Sequence, residues 1–501
     1  MYSAFIEGLT NVAFNPFILL LIFSGVGVGI VFGSVPGLTA TMSIVMFLPM
    51  TYTMTPIQGI STLVALYIGG ISGGLISAIL LNIPGTPSSV ATCFDGAPMA
   101  KNGMAGKALG TGIVFSFFGT LIGIGILVFM APKVASFALK FGAYEYCALA
   151  IFSLSLVIAL TGDDIVKGLI SAILGCMFAT IGLSPIDSRA RFTFGSVNLT
   201  AGFKLLVFLI GLFAITEVVK YAEQVRNNNE AEVNEDFKIR GFGFSLKEFF
   251  SQWFNTIRSA LIGVGIGILP GIGGGPACMI SYTVAKNSSK HSDKFGTGIM
   301  DGVVASESAN NASIGGAMIP LLSLGIPGDA VTAMLLGGLM VHDIAPGPLI
   351  FDRNGPVVYG IFVAMVIAAV AMLILEFGGM RVFIRILKIP KQYLFPLIVI
   401  LCCVGAIGDS NSIFDVWGVL LFGLVGYGLI KAGVPLTPMI LGFILGPMFE
   451  MNLRKSSQLF AMDAFSLFSR PIALVFLAIT AVTVTLNIRA TLKREIAVLP
   501  E

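Results

Sequence analysis

Residues 82–89 read Asn82-Ile83-Pro84-Gly85-Thr86-Pro87-Ser88-Ser89 and interrupt a long apolar run that passes through Gly73-Gly74. Proline removes a backbone donor and clashes with the preceding turn, while glycine permits positive φ, so Ile-Pro-Gly here predicts a helix broken in mid-run. The chain repeats the device. Gly315-Gly316 leads to Leu324-Gly325-Ile326-Pro327-Gly328-Asp329. Each break follows a glycine-rich apolar run that itself ends in Pro-Gly: Gly25, Gly27, Gly29 and Gly33 before Pro36-Gly37, and Gly263, Gly265 and Gly267 before Pro270-Gly271. From the first Pro-Gly to the Ile-Pro-Gly is 48 residues in one half and 57 in the other, and the polar loop Lys286 to Phe295 absorbs the difference.

The surrounding composition supplies the solvent. Apolar residues are 56% of the 501, and charged residues only 11%, against roughly 25% in soluble globular proteins. A net charge of +3 gives no reason to expect a nucleic-acid partner. The expectation is an all-α polytopic integral membrane protein in a lipid bilayer. Apolar runs occur near 17–35, 38–50, 57–81, 108–131, 146–160, 166–183 and 203–219, then near 257–283, 299–326, 330–350, 356–380, 393–408, 415–431, 436–449 and 471–488. They predict about 12 to 14 crossings, some short enough to be half-helices. The domain reading is a first repeat half over 1–219 with its broken segment near 73–98, a polar connection over 220–256, a second half over 257–488 broken near 315–348, and a basic tail over 489–501. The connection carries Asn227-Asn228-Asn229 and the acids Glu230, Glu232, Glu235 and Asp236. Arg381, Arg385, Lys388 and Lys391 form a basic loop, and Arg489, Lys493 and Arg494 follow the last run. Four runs separate the two groups, which puts both on one side, the cytoplasmic one by the positive-inside rule.

Broken backbone inside a bilayer survives only where protein or a water-filled cavity satisfies the freed amides and carbonyls. Paired interruptions at matching places in two halves therefore point to a secondary transporter that binds its cargo at half-helix ends. The candidate binding residues are Asn82, Pro84, Gly85, Thr86, Ser88 and Ser89 at one break, and Pro327, Gly328 and Asp329 at the other, with Asn310, Asn311 and Ser313 upstream. Thr39, Glu307 and Thr332 are weaker candidates. Hard cations such as sodium take oxygen ligands of this kind. Free amides at helix N-termini suit an anion, so the set fits an anion carried with a cation. Lys101, Lys107 and Arg353 are read as headgroup or topology anchors. Six scattered cysteines, no CxxC pair and only two histidines leave no zinc or haem site to expect, and no cofactor is expected.

At these motifs the chain resembles the large permease subunit of the bacterial tripartite tricarboxylate transporters, the TctA family. The resemblance runs through VPGLTATMSIVMFLP (35–49), GGISGGLISAILLNIPGTPSSVAT (69–92) and FDGAPMAKNGMAGKALG (94–110), and in the second half through ILPGIGGG (268–275), FGTGIMDGVVASESANN (295–311) and IPLLSLGIPGDAVTAMLLGGLMVHDIAPGPLIF (319–351). One departure is Ser306 in SESANN, where the family pattern leads one to expect a proline-containing segment. The resemblance implies uptake of a di- or tricarboxylate across the bacterial inner membrane, driven by a sodium or proton gradient. It also implies a small four-helix membrane subunit, an extracytoplasmic solute-binding protein, inverted repeats, and an elevator-type carrier with re-entrant hairpins whose tips are Pro84 and Pro327.

Two other classes remain open to the sequence. Half-helices also build passive channels. Gly70-Ile71-Ser72-Gly73 matches the GxSG of intramembrane serine proteases of the rhomboid type, with His342 as the one histidine in an apolar run; four residues in a glycine-rich chain are weak support. Gly103-Met104-Ala105-Gly106-Lys107 is too short for a phosphate-binding loop, which argues against a nucleotide-driven pump.

Overall fold

The computed structural model describes residues 2–160, 165–226, 243–386, 394–410, 412–463 and 465–498. Asn227-Asn228-Asn229, the acidic cluster from Glu230 to Asp236, and Lys388 and Lys391 lie outside the described residues. In chain order the first helices are α1 (Tyr2–Ala13), α2 (Pro16–Ser34), α3 (Ala40–Phe47), α4 (Pro56–Leu81), α5 (Val90–Met99) and α6 (Ala105–Ala138). Next come α7 (Ala143–Leu160) and α8 (Ile165–Ala179), a two-stranded antiparallel ribbon of β1 (Gly182–Leu183) and β2 (Ala190–Arg191), then α9 (Val197–Thr200), α10 (Leu205–Ile210) and α11 (Thr216–Arg226). The second half holds α12 (Leu246–Ser251), α13 (Trp253–Gly267), α14 (Gly274–Ser288), α15 (Met300–Leu324), α16 (Ala330–Val341), α17 (Ile350–Arg353) and α18 (Gly355–Ile386). The chain closes with α19 (Leu394–Ser410), α20 (Ile413–Lys431), α21 (Leu436–Met462) and α22 (Pro471–Val498).

Among the described residues seven helices are long and apolar enough to cross a membrane: Pro16–Ser34, Pro56–Leu81, Pro87–Ala138, Leu205–Glu223, Gly355–Gly379, Ile413–Lys431 and Leu436–Met462. Shorter apolar helices accompany them. The protein is an all-α, multi-pass membrane protein. The run expected near 38–50 resolves into the eight-residue α3 and a 3-10 turn, Leu48–Thr53. At 1.5 Å per residue, α3 cannot span the core on its own. The run near 257–283 is likewise two helices, α13 and α14, parted at Pro270-Gly271.

Two compact units make up the chain, Met1–Ala135 with Lys220–Asp409, and Ser136–Val219 with Ser410–Glu501. Each takes one segment from either sequence half. The first unit is organised by close helix crossings at glycines. A Cβ on Gly29 of α2 would stand 2.5 Å from the Leu66 carbonyl oxygen of α4, and one on Gly73 of α4 would stand 2.5 Å from the Ile30 carbonyl. Gly33 faces the Gly70 carbonyl. Counted from the two Pro-Gly and Ile-Pro-Gly landmarks, the same pairs recur between α13 and α15: Gly263 on the Ala309 carbonyl, Gly316 at 2.5 Å from the Val264 carbonyl, and Gly267 at 2.6 Å from the Ser313 carbonyl. Small residues let backbones approach where no hydrophobic force draws helices together in lipid. The sequence repeat is thus a repeat of packing.

The second unit is held by an aromatic cluster in which Phe422 meets Phe178, Phe203 and Phe208, and Phe208 stacks on Phe443 at 4.1 Å. Arg191 binds Glu450 at 2.6 Å, tying β2 to α21.

Candidate functional site

Both breaks end a long helix in the left-handed region and restart a short one behind a side-chain cap. Helix α4 stops at Asn82, with φ 54°. Proline at 84 offers no amide, and the chain re-enters helix through Thr86, whose N–H donates to Ser89 Oγ at 3.2 Å. Helix α15 stops at Gly325, with φ 72°, and the Gly325 and Ile326 amides donate back to Leu321 and Pro320, the geometry that closes helix C-termini. Asp329 then caps α16: Thr332 N donates to Asp329 Oδ1 at 2.7 Å, and Asp329 N donates to Thr332 Oγ1 at 2.8 Å. Thr86 with Ser89, and Asp329 with Thr332, are the same capping pair at the same distance from the Ile-Pro-Gly proline. The glycine after each proline is wedged in. A Cβ on Gly85 would meet the Gly33 carbonyl and, at 3.0 Å, the Cα of Gly74; one on Gly328 would meet the Gly267 carbonyl and the Cα of Ala317, both at 2.6 Å.

The two breaks converge on the N-terminus of α14. Gly273, with φ 67°, precedes this helix and offers no side-chain cap. A Cβ on Gly273 would stand 3.0 Å from Asp329 Cβ, and one on Gly274 would stand 2.7 Å from Asn310 Oδ1, 3.0 Å from Ser313 Oγ and 3.1 Å from Ser88 Cβ. Gly275 faces the Pro87 carbonyl at 3.5 Å. Ser88 from the first break, Asp329 from the second, and Asn310 and Ser313 from α15 therefore surround one helix N-terminus. The Tyr67 hydroxyl of α4 donates to Asp329 Oδ2 at 2.6 Å. Both polar atoms of the Asn310 carboxamide are buried with no hydrogen-bond partner. A buried amide is normally satisfied, so an unpaired one beside unpaired helix donors marks a place prepared for a ligand.

The corresponding place in the first half is closed. Thr39 occupies the position of Gly273, and its hydroxyl accepts from Met42 N at 3.2 Å, capping α3. The repeat is symmetric in backbone and asymmetric in what it leaves open.

Other expected residues fall elsewhere. Asn82 and Pro84 are exposed at the end of α4, and the Asn82 side chain makes no hydrogen bond among the described residues. Asn310 and Asn311, adjacent in sequence, serve different surroundings. Asn311 Nδ2 donates to Ser116 Oγ at 2.8 Å and to Glu307 Oε2 at 3.2 Å. Glu307 is fully buried and also accepts from Ser116 Oγ at 2.9 Å and from Thr92 Oγ1. Glu307 and Asn311 thus join α15 to α5 and α6. Lys107 pairs with Glu248 at 2.5 Å, while Lys101 and Arg353 are exposed. His342 Nε2 lies 3.2 Å from Thr51 Oγ1, whereas Ser72 Oγ has no hydrogen-bond partner. The serine and histidine of the protease reading are not joined in a dyad.

Tyr67 and the Gly273-Gly274 backbone carry no ligand signature of their own in the sequence. The repeat register contains the missing signal: Tyr67 stands 17 residues before Pro84, as Asn310 stands 17 before Pro327. Asp95 is also unanticipated. It is fully buried, its Oδ1 accepts from the amides of Gly296, Gly298 and Ile299 at 2.9 to 3.0 Å, and its Oδ2 accepts from Tyr282 Oη at 2.8 Å. It locks α5 to the turn that starts α15.

The sequence pattern of the tripartite tricarboxylate transporter TctA family matches residues 19–441. A protein of Agrobacterium vitis, described as an uncharacterized 52.8 kDa protein in the TAR-I ttuC' 3' region, is 35% identical over 467 residues, which is 93% of this chain and 92% of that protein. A second, an uncharacterized protein in the TAR-II ttuC' 3' region of the same organism, is 37% identical over 228 residues, 46% of this chain and 94% of its own. No solved structure matches the chain.

Proposed function

Because the chain belongs to the tripartite tricarboxylate transporter TctA family, we propose that it is the permease subunit of a symporter that imports a di- or tricarboxylate. In this reading an extracytoplasmic solute-binding protein delivers the substrate, a small four-helix membrane subunit accompanies the permease, and a sodium or proton gradient drives uptake. The chain lies in the bacterial inner membrane with its C-terminus in the cytoplasm.

The observation that carries the proposal is the convergence of both breaks on the open N-terminus of α14. Amides of that first turn, the Asn310 carboxamide and the Ser88 hydroxyl are donors for a carboxylate. Asp329, held by Tyr67 and Thr332, is of the wrong sign for the substrate and of the right sign for a coupled cation. Every group in the cluster belongs to the first compact unit, which supports an elevator-type step in which that unit moves as a body with its cargo. Catalysis of a covalent reaction forms no part of the reading.

The test is uptake of labelled di- and tricarboxylates by the chain reconstituted with its small subunit, with and without the binding protein, under sodium and proton gradients imposed separately. Saturable uptake that needs a gradient and the binding protein is expected, with Asn310→Ala and Ser88→Ala losing at least about ten-fold in kcat/KM, about 1.4 kcal/mol of lost interaction. Conduction that needs neither gradient nor binding protein would overturn the carrier in favour of a pore.

A further inference from the structure

Glu376 takes no part in the cluster just described. It lies on α18, inside the apolar span Gly355–Gly379, and its side chain is fully buried. Neither carboxyl oxygen has a hydrogen-bond partner, and no basic side chain pairs with it among the described residues. Ser72 of α4, fully buried, brings its hydroxyl up to this carboxyl without closing a hydrogen bond of good geometry. Two unpartnered polar groups side by side in a membrane-spanning layer are costly, and an intramembrane ionisable residue is a functional candidate by default.

The other titratable groups near α18 are few. Helix α2 carries none, and α4 carries only Tyr67, engaged with Asp329. Helix α1 carries Tyr2 and Glu7, and it meets α18 at the opposite end, where Gly8 lies against Pro356 and Gly360. Helix α17, with Asp352 and Arg353, leads into that same end. On α18 itself Tyr359 is near the N-terminus, and Arg381 and Arg385 follow Glu376 in sequence. The other carboxyl near Glu376 is Glu307 of α15.

The two buried glutamates differ in kind. Glu307 accepts hydrogen bonds from Thr92, Ser116 and Asn311. Glu376 has no such closed hydrogen bonds, and a fixed charge there would be desolvated with nothing to offset the cost. The neutral acid fits this environment, and proton exchange breaks no existing network.

We infer that Glu376, together with Ser72, is a proton-binding site of the permease, separate from the cluster at Gly274, and that it carries the proton coupled to substrate. The step is simple and balanced: the carboxyl O–H bond breaks to release a proton on one side and leave a carboxylate, which takes a proton from the other side. This rests on the carrier reading above and specifies its coupling ion.

The experiment uses the permease reconstituted with its small subunit, with substrate uptake and proton movement recorded together in weakly buffered vesicles. For the wild type, each substrate taken up brings protons, and an imposed pH gradient drives accumulation. In Glu376→Gln, pH-gradient-driven accumulation falls about ten-fold or more, the factor that one pH unit makes for a single titrating group, and uptake becomes flat with pH. Glu376→Asp recovers part of the pH response. A Gln variant that keeps its proton-to-substrate ratio would overturn the inference, as would wild-type uptake driven by sodium with no proton movement. Absence of any carboxylate uptake by wild type would instead overturn the carrier reading beneath it. A second measurement avoids the variant altogether: dicyclohexylcarbodiimide, which reacts with protonated carboxyls in apolar surroundings, is expected to label Glu376 in the wild-type protein and stop uptake. Labelling that bypasses Glu376 would refute the site.

Discussion

At the scale of single residues, the site depends on an atom that is missing. Gly274 has no Cβ, and Asn310, Ser313 and Ser88 close on the space it leaves, the nearest atom being 2.7 Å from where a Cβ would stand. Gly274→Ala is therefore expected to abolish uptake while the protein still folds, read as lost transport with an unchanged elution profile in detergent. Tyr67→Phe removes the donor at 2.6 Å from Asp329 Oδ2 and leaves that oxygen without its partner. The expected loss is about 1 to 3 kcal/mol, visible as a lower Tm or as altered ion dependence. Asp95→Ala strips three backbone amides of their acceptor and should cost on the order of 3 kcal/mol of stability, measured by thermal unfolding, with a weaker effect for Asp95→Asn.

At the scale of elements, two helix pairs are built to one plan. Helix α2 crosses α4, and α13 crosses α15, with glycine against carbonyl at matching positions. A side chain there must push the backbones apart, and overpacking costs about 1 to 3 kcal/mol or more. Gly29→Val and Gly316→Val are expected to lower Tm markedly. Gly265→Ala is the control, since no atom lies within 4 Å of its Cβ position; a loss of stability there equal to that of Gly29→Val would show that the crossings do not explain these glycines.

At the scale of the whole molecule, the described end of the polar connection is tied back to α6. Glu248, in the capping box that starts α12, holds Lys107 of α6 at 2.5 Å. The Lys107 hydrogen bond is the largest cause that lowers its carboxyl from the usual 4.5 to about 2, with the Ser245 amide and hydroxyl adding to it. A depressed carboxyl contributes stability above its unfolded value and loses that contribution as pH falls through the folded one. The Tm difference between wild type and Glu248→Gln should thus hold constant down to about pH 4.5 and close between there and about pH 2. Both groups are substantially exposed, so the difference is small and shrinks in salt.

The sequence alone determined the class of protein and the places where its helices break. Composition decides the solvent, and proline and glycine act locally, so Pro36, Pro84, Pro270 and Pro327 could be read without any fold. It also showed the repeat, because matched breakers keep their spacing whatever lies between them. Only the tertiary structure decided which of the polar residues beside the breaks come together. Asn310 and Asn311 are adjacent in sequence, yet successive residues on a helix point about 100° apart, and one meets Gly274 while the other meets Ser116. Thr39 and Gly273 hold equivalent positions in the repeat, yet one closes its helix and the other leaves it open. Glu376 was hidden in an apolar run, since a lone carboxylate there looks the same whether a partner waits across the helix interface or not. That distinction belongs to packing, because partners in a helical bundle come from residues hundreds of positions away.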